Sequence, residues 1–395
     1  MGISDRIGGD WLGEAIARMH QQRTRIGYFV DRDYEARRVL GWDVRIVEGG
    51  MITVLYGPKG CGKTTFFEVL HIASRSFRWF EVIIVSSEEE AWKAEKLYVS
   101  ESLRGAVKKV LGRLEADIEI GGEISGVVNA AKLVSMFSAY IASRLRKGRK
   151  ILIVLDEVKA DSQEHAASFR NWLENFANIV SRDDMSYSQR GGNIAVIALT
   201  SDAIVSEIRG KVGGKVKWVV MWNLPRTAAD EILDQTGLHH RVAGELSQII
   251  GIDIGTNRAK DILWRLAGGN PRSLSLILGM GISSWLSREI IGIIDRELNE
   301  ASKEIGWGRV WSDIKEIIYE IDHMRGLKLF NFLLRSNIVI DIGMAEHLSE
   351  ISKEEWIGRD YAYQIPAYYY TLKAMAKKKS TRISVKEVIE EAITI

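Results

Sequence analysis

Eight consecutive residues, Gly57-Pro58-Lys59-Gly60-Cys61-Gly62-Lys63-Thr64, restrict what this chain can fold into more than any other feature. They fit the pattern G-x-x-x-x-G-K-[ST] at every fixed position. An apolar run at 51–56 precedes them and a helical stretch at 65–71 follows, so a strand–loop–helix unit is expected. A chance glycine-rich turn would not bring both the motif and its setting. Glycines let backbone N–H groups curl around phosphate oxygens without a Cβ clash. The start of the next helix adds the positive end of its dipole. Lys63 would put an ammonium on the β- and γ-phosphates, and Thr64 would offer a hydroxyl to Mg²⁺. Gly57 to Thr65 are thus the candidate phosphate-binding residues. Cys61 has two readings: a redox-sensing thiol whose pKa the helix end lowers, or a small filler whose backbone N–H alone matters.

Five short runs rich in Val and Ile punctuate the first 225 residues, at 51–56, 81–86, 150–155, 193–199 and 216–222. Each is close to continuously apolar, as strands buried on both faces of a parallel sheet are. Amphipathic stretches with helical spacing lie between them, at 130–146 and 162–180. The alternation predicts an α/β domain with a five-stranded parallel sheet. After Asn223-Leu224-Pro225 the pattern becomes helical only, to about residue 300, with breaks at 251–256 and at Gly268-Gly269-Asn270-Pro271. From about residue 301 helices are joined by two strands, at 336–342 and 361–365. Three parts follow: 1–225, 226–300 and 301–395.

The run 150–155 ends in Asp156-Glu157. Packing does not require two carboxylates there, although a strand-end turn could use them. Beside a phosphate loop, Asp156 would hold Mg²⁺ opposite Thr64 and Glu157 would polarise the attacking water. Thr200-Ser201-Asp202 ends the fourth run. A hydroxyl there could reach the γ-phosphate or the water, or Ser201 could cap a helix at 202–208; both can hold.

Composition narrows the class. With 395 residues, two or three domains are expected. The 54 Lys and Arg nearly balance the 52 Asp and Glu, so whole-chain charge gives no argument for nucleic acid and none against a local basic face. Such a face is offered by Lys373, Lys377, Lys378, Lys379 and Arg382, as a phosphate contact or as a solvated helix end. One cysteine excludes an intrachain disulfide and suits a reducing cytoplasm. No apolar run approaches the roughly 18 residues of a membrane span. Ser87 to Glu90 reads as a capped acidic helix start, and His239-His240 is too isolated for a metal site.

Taken with Gly57–Thr64, Asp156-Glu157 and Thr200-Ser201, two further motifs carry a family likeness. Phe29-Val30-Asp31-Arg32-Asp33-Tyr34-Glu35 is similar to an F-x-x-R-x-x-E box, and Gly268-Gly269-Asn270-Pro271-Arg272 looks like a second-sensor motif. The chain resembles the archaeal ATPase family, a branch of the AAA+ and STAND P-loop ATPases with relatives among initiator-like ATPases. The resemblance implies ATP and ADP as ligands with Mg²⁺ as cofactor, and ATP hydrolysis driving a conformational switch. Phe29, Val30 and Arg32 would contact adenine, Thr200 would be the first sensor, and Pro271 and Arg272 would bring a helical lid to the γ-phosphate. It also implies a winged-helix-like domain over 301–395. An arginine finger would be Arg209 or Arg226, unless both are ordinary surface arginines. A DNA-associated initiator- or mobile-element-type ATPase is the alternative, and a protein partner and oligomerisation stay open. The long insert at 88–150 is not implied by the family.

Overall fold

The computed structural model describes residues 11–75, 77, 79–86, 93–98, 125–129, 150–156, 181, 193–201, 209, 214, 216–343 and 345–393. Helix α1 (Trp11–His20) leads through a small hairpin, β1 (Arg23–Thr24) and β2 (Gly27–Tyr28), to α2 (Asp33–Leu40). Strand β3 (Ile52–Tyr56) and helix α3 (Lys63–Ser74) flank the glycine-rich loop, as its setting predicts. Strands β4 (Phe80–Ser86), β5 (Lys93–Tyr98), β6 (Ser125–Asn129), β7 (Lys150–Asp156), β8 (Asn193–Leu199) and β9 (Val216–Val220) follow. The expected helices at 130–146 and 162–180 lie outside the described residues.

All five apolar runs are parallel strands of one sheet, in the order β9-β3-β8-β7-β4. Their continuous apolarity has a direct cause: both faces are covered. Along β7, Ile151, Ile153 and Leu155 join one apolar core while Leu152 and Val154 join the other. The second core is closed by α1, α2 and α3 through Met19, Val39, Phe66, Phe67 and Leu70.

The sheet is wider than expected. Its eight strands run β11 (Glu346–His347), β9, β3, β8, β7, β4, β5 and β6. Strands β5 and β6 come from the 88–150 insert and run antiparallel to their neighbours. Strand β11 (Glu346–His347) comes from the C-terminal third and pairs in parallel with β9. Two polar residues carry no hydrophobic signal, so only the tertiary pairing defines that strand.

From Pro225 onward the structure is helical, as expected: α4 (Arg226–Thr236), α5 (Leu238–Ile250), α6 (Thr256–Ala267), α7 (Pro271–Met280) and α8 (Ile282–Trp285). A π-helical turn (Leu286–Ile291) joins α8 to α9 (Gly292–Ile305). The C-terminal part contains α10 (Trp307–Tyr319), a 3₁₀ turn (Ile321–Gly326), α11 (Phe330–Arg335) and the antiparallel pair β10 (Val339–Asp341) and β12 (Tyr361–Tyr363). It ends with α12 (Pro366–Lys378) and α13 (Val385–Ile393). One continuous core, including Leu246, Leu263, Trp285, Leu298, Ile314, Tyr370 and Ile389, joins these helices to the outer face of the sheet.

Among the described residues no single helix is long and apolar enough to cross a membrane. The bent pair Pro271–Met280 and Ile282–Ile305 has that composition, but Leu274, Ile277, Ile282, Leu286 and Ile290 face the protein core.

Trp285 is among the largest side chains that are fully buried. Trp285→Ala should therefore cost about 3–5 kcal/mol of stability, read as a lower urea midpoint with the slope unchanged.

Candidate active site

The loop is built at the buried end of β3. At Gly57 any Cβ would stand 2.0 Å from the carbonyl oxygen of Met221, just past β9. At Gly60, with φ +82°, a Cβ would stand 2.2 Å from the Cβ of Arg272. Both glycines are needed because backbone and lid approach this closely. Helix α3 starts at Gly62, which is left-handed and has no side chain to cap the first-turn N–H groups. Those amides are the groups that could hold an anion at the start of α3.

Lys63 projects back across the loop. Its Nζ donates to the carbonyls of Gly57 (2.9 Å) and Pro58 (3.1 Å) and lies 3.7 Å from the Cys61 sulfur. The residue is 8% exposed. No described carboxylate lies within 4 Å of it. The Cys61 thiol is buried and donates to the Met221 carbonyl, which fits the filler reading and leaves no exposure for redox sensing.

Thr64 Oγ1 donates to Asp156 Oδ1 at 3.0 Å, so the ends of α3 and β7 meet as the sequence suggested. A hydroxyl beside a carboxylate is an oxygen-only donor set suited to Mg²⁺. Glu68, one turn along α3, was not foreseen. Burial first, and then the charge of Asp156, pushes its carboxyl above the ordinary range. Glu68 lies one helical turn beyond Thr64, on the same face of α3. Glu157, the expected water-polarising residue, lies outside the described residues. Thr200 is buried directly after β8, and its N–H donates to Leu55 at 3.1 Å, which fixes it beside the end of β3. The expected helix at 202–208 is also outside the described residues.

The start of α7 meets the loop through Asn270 and the backbone of Arg272. Asn270, fully buried, caps α7 by accepting from the Ser273 N–H and donates to the Lys59 carbonyl (3.0 Å) and to Asn223 Oδ1 (2.9 Å). Arg272 donates its backbone N–H to the Gly60 carbonyl at 3.2 Å, and its side chain is exposed beside the loop. Pro271 sits alongside, its Cγ 4.0 Å from where a Gly62 Cβ would be.

Arg32 has a different place from the one expected. Its guanidinium donates to Glu35 (2.6 Å), Ser349 Oγ (3.1 Å) and the carbonyls of Cys61 and Trp222 (2.8 Å each). Asp31 and Arg32 both have positive φ, 55° and 70°, a strained pair that this bracket holds in place. Phe29 and Val30 are buried, one in each apolar core. These three side chains are engaged by protein, so a ligand would meet their backbone. The sequence box marks the bracket correctly but not its partners, because Ser349 and Trp222 are remote in sequence.

Neither arginine-finger candidate is free. Arg209 binds Asp341 Oδ2 (3.1 Å) and the Tyr56 hydroxyl (3.2 Å); burial pushes that hydroxyl far up, so it stays neutral. Arg226 pairs with Asp261 and Asp230. In the C-terminal basic cluster Lys373 pairs with Glu355, Lys377 with Glu391 and Lys378 with Glu387.

Comparison with known proteins gives one family match. The model of an ATPase domain predominantly from Archaea matches residues 29–277, more than half of the chain. No curated protein matches. The solved structure described as Drosophila ORC bound to DNA is similar at 13% identity with a TM-score of 0.34. That match covers 64% of this chain and 61% of the other, so this chain spans about three fifths of that relative's length.

Arg32→Ala would leave the Glu35 carboxylate buried without its partner, since both side chains are almost fully covered. The expected loss is about 3–5 kcal/mol in urea unfolding, and Arg32→Lys should recover only part of it, because an ammonium cannot span four acceptors in one plane.

Proposed function

This chain belongs to the family of ATPase domains found predominantly in Archaea, and we propose that it binds Mg-ATP at the Gly57–Thr64 loop and hydrolyses it to ADP and phosphate, working as a nucleotide-dependent conformational switch. The observation that carries the reading is Lys63. Its ammonium is withdrawn from water, and its partners among the described residues are two carbonyls and a thiol. Burying a cation among neutral groups is costly, and a polyphosphate at the uncapped start of α3 would supply it with negative charge.

In this reading each residue has one task. The first-turn amides of α3 and the loop N–H groups bind phosphate oxygens. Lys63 turns from the Gly57 and Pro58 carbonyls to the β- and γ-phosphates. Thr64 and Asp156 would hold Mg²⁺, which when bound neutralises developing charge on the transferred phosphoryl group. Glu157, next after the last residue of β7, aligns the attacking water. Thr200 contributes a hydroxyl from the neighbouring strand end. Arg272 reaches the γ-phosphate from the lid. Catalysis of this type is positioning and electrostatics. With Arg209 and Arg226 both engaged in ion pairs, turnover is slow unless a second arginine arrives, since that group accounts for several orders of magnitude in rate.

The parts proposed for this cycle are an ATPase domain over 1–225, a lid over 226–300 and a winged-helix-like unit over 301–395. The β10–β12 pair between α11 and α12 supports the last of these. A DNA-associated role is the competing reading. It draws only on Lys379 and Arg382 among the basic cluster's side chains, since the other three face acids.

Lys63→Ala should weaken binding of a fluorescent ATP analogue at least a hundredfold. Glu157→Gln should leave binding within about threefold and cut phosphate release by roughly 10² or more. Wild-type protein that binds ATP and releases no phosphate would instead make the nucleotide a structural ligand. Duplex DNA binding that falls steeply with salt, and that disappears on Lys379→Ala with Arg382→Ala, would select the DNA reading.

A further inference from the structure

Every polar group of Cys61, in the middle of the phosphate loop, is held. Its N–H donates to the Pro58 carbonyl at 3.1 Å and its thiol to the Met221 carbonyl at 3.5 Å. Its own carbonyl accepts from Arg32 Nη2 at 2.8 Å. Among the described residues no N–H of α3 reaches that carbonyl; the first bond of the helix runs from the Phe66 N–H to the Gly62 carbonyl. The guanidinium is fixed as well. Arg32 is 2% exposed, Nη2 also donates to the Trp222 carbonyl, and Nη1 donates to Glu35 and Ser349.

The Cys61 carbonyl and the Gly62 N–H belong to one peptide unit. In a trans peptide the two point in opposite directions. Arg32 therefore turns the Gly62 N–H away from itself. Where that N–H goes follows from the backbone. Gly62 is left-handed (φ 98°, ψ 20°) and Lys63 opens the right-handed helix α3. A left-handed residue beside a right-handed one makes successive N–H groups converge, and that concavity binds anions. The Gly62 N–H so joins those of Lys63 and Thr64 at the start of α3, and among the described residues it has no acceptor. The bond from a cation to the carbonyl also polarises the peptide, which makes its N–H a stronger donor.

Resting on the ATP-binding reading above, we infer that Arg32 is a positioning residue of the phosphate site: by holding the Cys61 carbonyl it aims the Gly62 N–H at a phosphate oxygen. The guanidinium touches no phosphate and acts from behind the peptide. Nothing near residue 32 in the sequence signals this, because the carbonyl it grips is 29 residues away.

The chain has one cysteine, so carbon-13 at Cys carbonyls with nitrogen-15 at Gly amides gives a single carbonyl–amide correlation, that of Cys61 and Gly62. In full-length wild-type protein the Gly62 amide proton should move downfield as ADP is added. An amide that stays put while ADP binds overturns the inference. Arg32→Met with Glu35→Met removes both buried charges together, which leaves no unpaired carboxylate in the core. In this variant the carbonyl signal should move upfield and ADP affinity should fall about tenfold, the worth of one charge-assisted hydrogen bond. A merely structural residue would lower the urea midpoint and leave folded protein with wild-type affinity. Arg32→Lys keeps the charge without the planar fork; it should lose about threefold, with a smaller carbonyl shift, and serves if the double variant does not fold. An unchanged affinity, or an unmoved Cys61–Gly62 signal, in the variant that folds overturns the inference. Wild-type protein that binds neither ADP nor ATP would overturn the ATP-binding reading itself and the inference with it, a failure distinct from these.

Discussion

One ammonium group sets the terms for this structure. Lys63 is removed from water in a loop whose own carbonyls are its oxygen partners. Holding a cation there needs a rigid scaffold, and the scaffold is specific. The loop leaves a strand buried on both faces, passes under Met221 where only glycine fits, and enters a helix with no side-chain cap. Thr64, next in the chain, donates to Asp156 at the end of β7, so cation, hydroxyl and carboxylate come from two helical residues and one strand end.

Around that loop the fold divides its forces by type. Apolar burial builds the layers: two cores on the two faces of the sheet, one extending without interruption through the helices after Pro225. Burial is non-directional and leaves orientation loose. Orientation comes from buried polar groups. Arg32 ties the Cys61 and Trp222 carbonyls to Glu35 and Ser349, and Asn270 with Gln364 holds the two ends of Lys59. In a low-dielectric setting such bonds are strong when complete and costly when broken. The lid and the C-terminal part both meet the loop through one or two hydrogen bonds.

Much of this was readable in the residue order. The five strands were, because strands covered on both faces must be apolar throughout, and no other element of five to seven residues needs that. The loop was, because its glycines and its lysine answer to local geometry. The break at Gly268 to Pro271 was readable because the turn before α7 is a local motif. The side chains that lock the site were harder. Gln364 and Ser349 are single polar residues in ordinary surroundings. Arg209 could be named as an arginine-finger candidate, but its bond to Asp341 could not be read from the sequence. Arg32 was marked as part of a box, while its role as a bracket depends on carbonyls from two distant turns.

The sequence by itself determined the elements and the phosphate loop, since strand burial, glycine freedom and helix starts are all decided within about ten residues. Tertiary structure alone decided that Glu346–His347 would extend the sheet, that Gln364 and Asn270 would each bond one end of Lys59, and that the Arg32 guanidinium would face inward. The reason is one of range. A backbone dihedral or an apolar face is a property of its neighbours in the chain, whereas a buried hydrogen bond needs a partner that only packing can deliver.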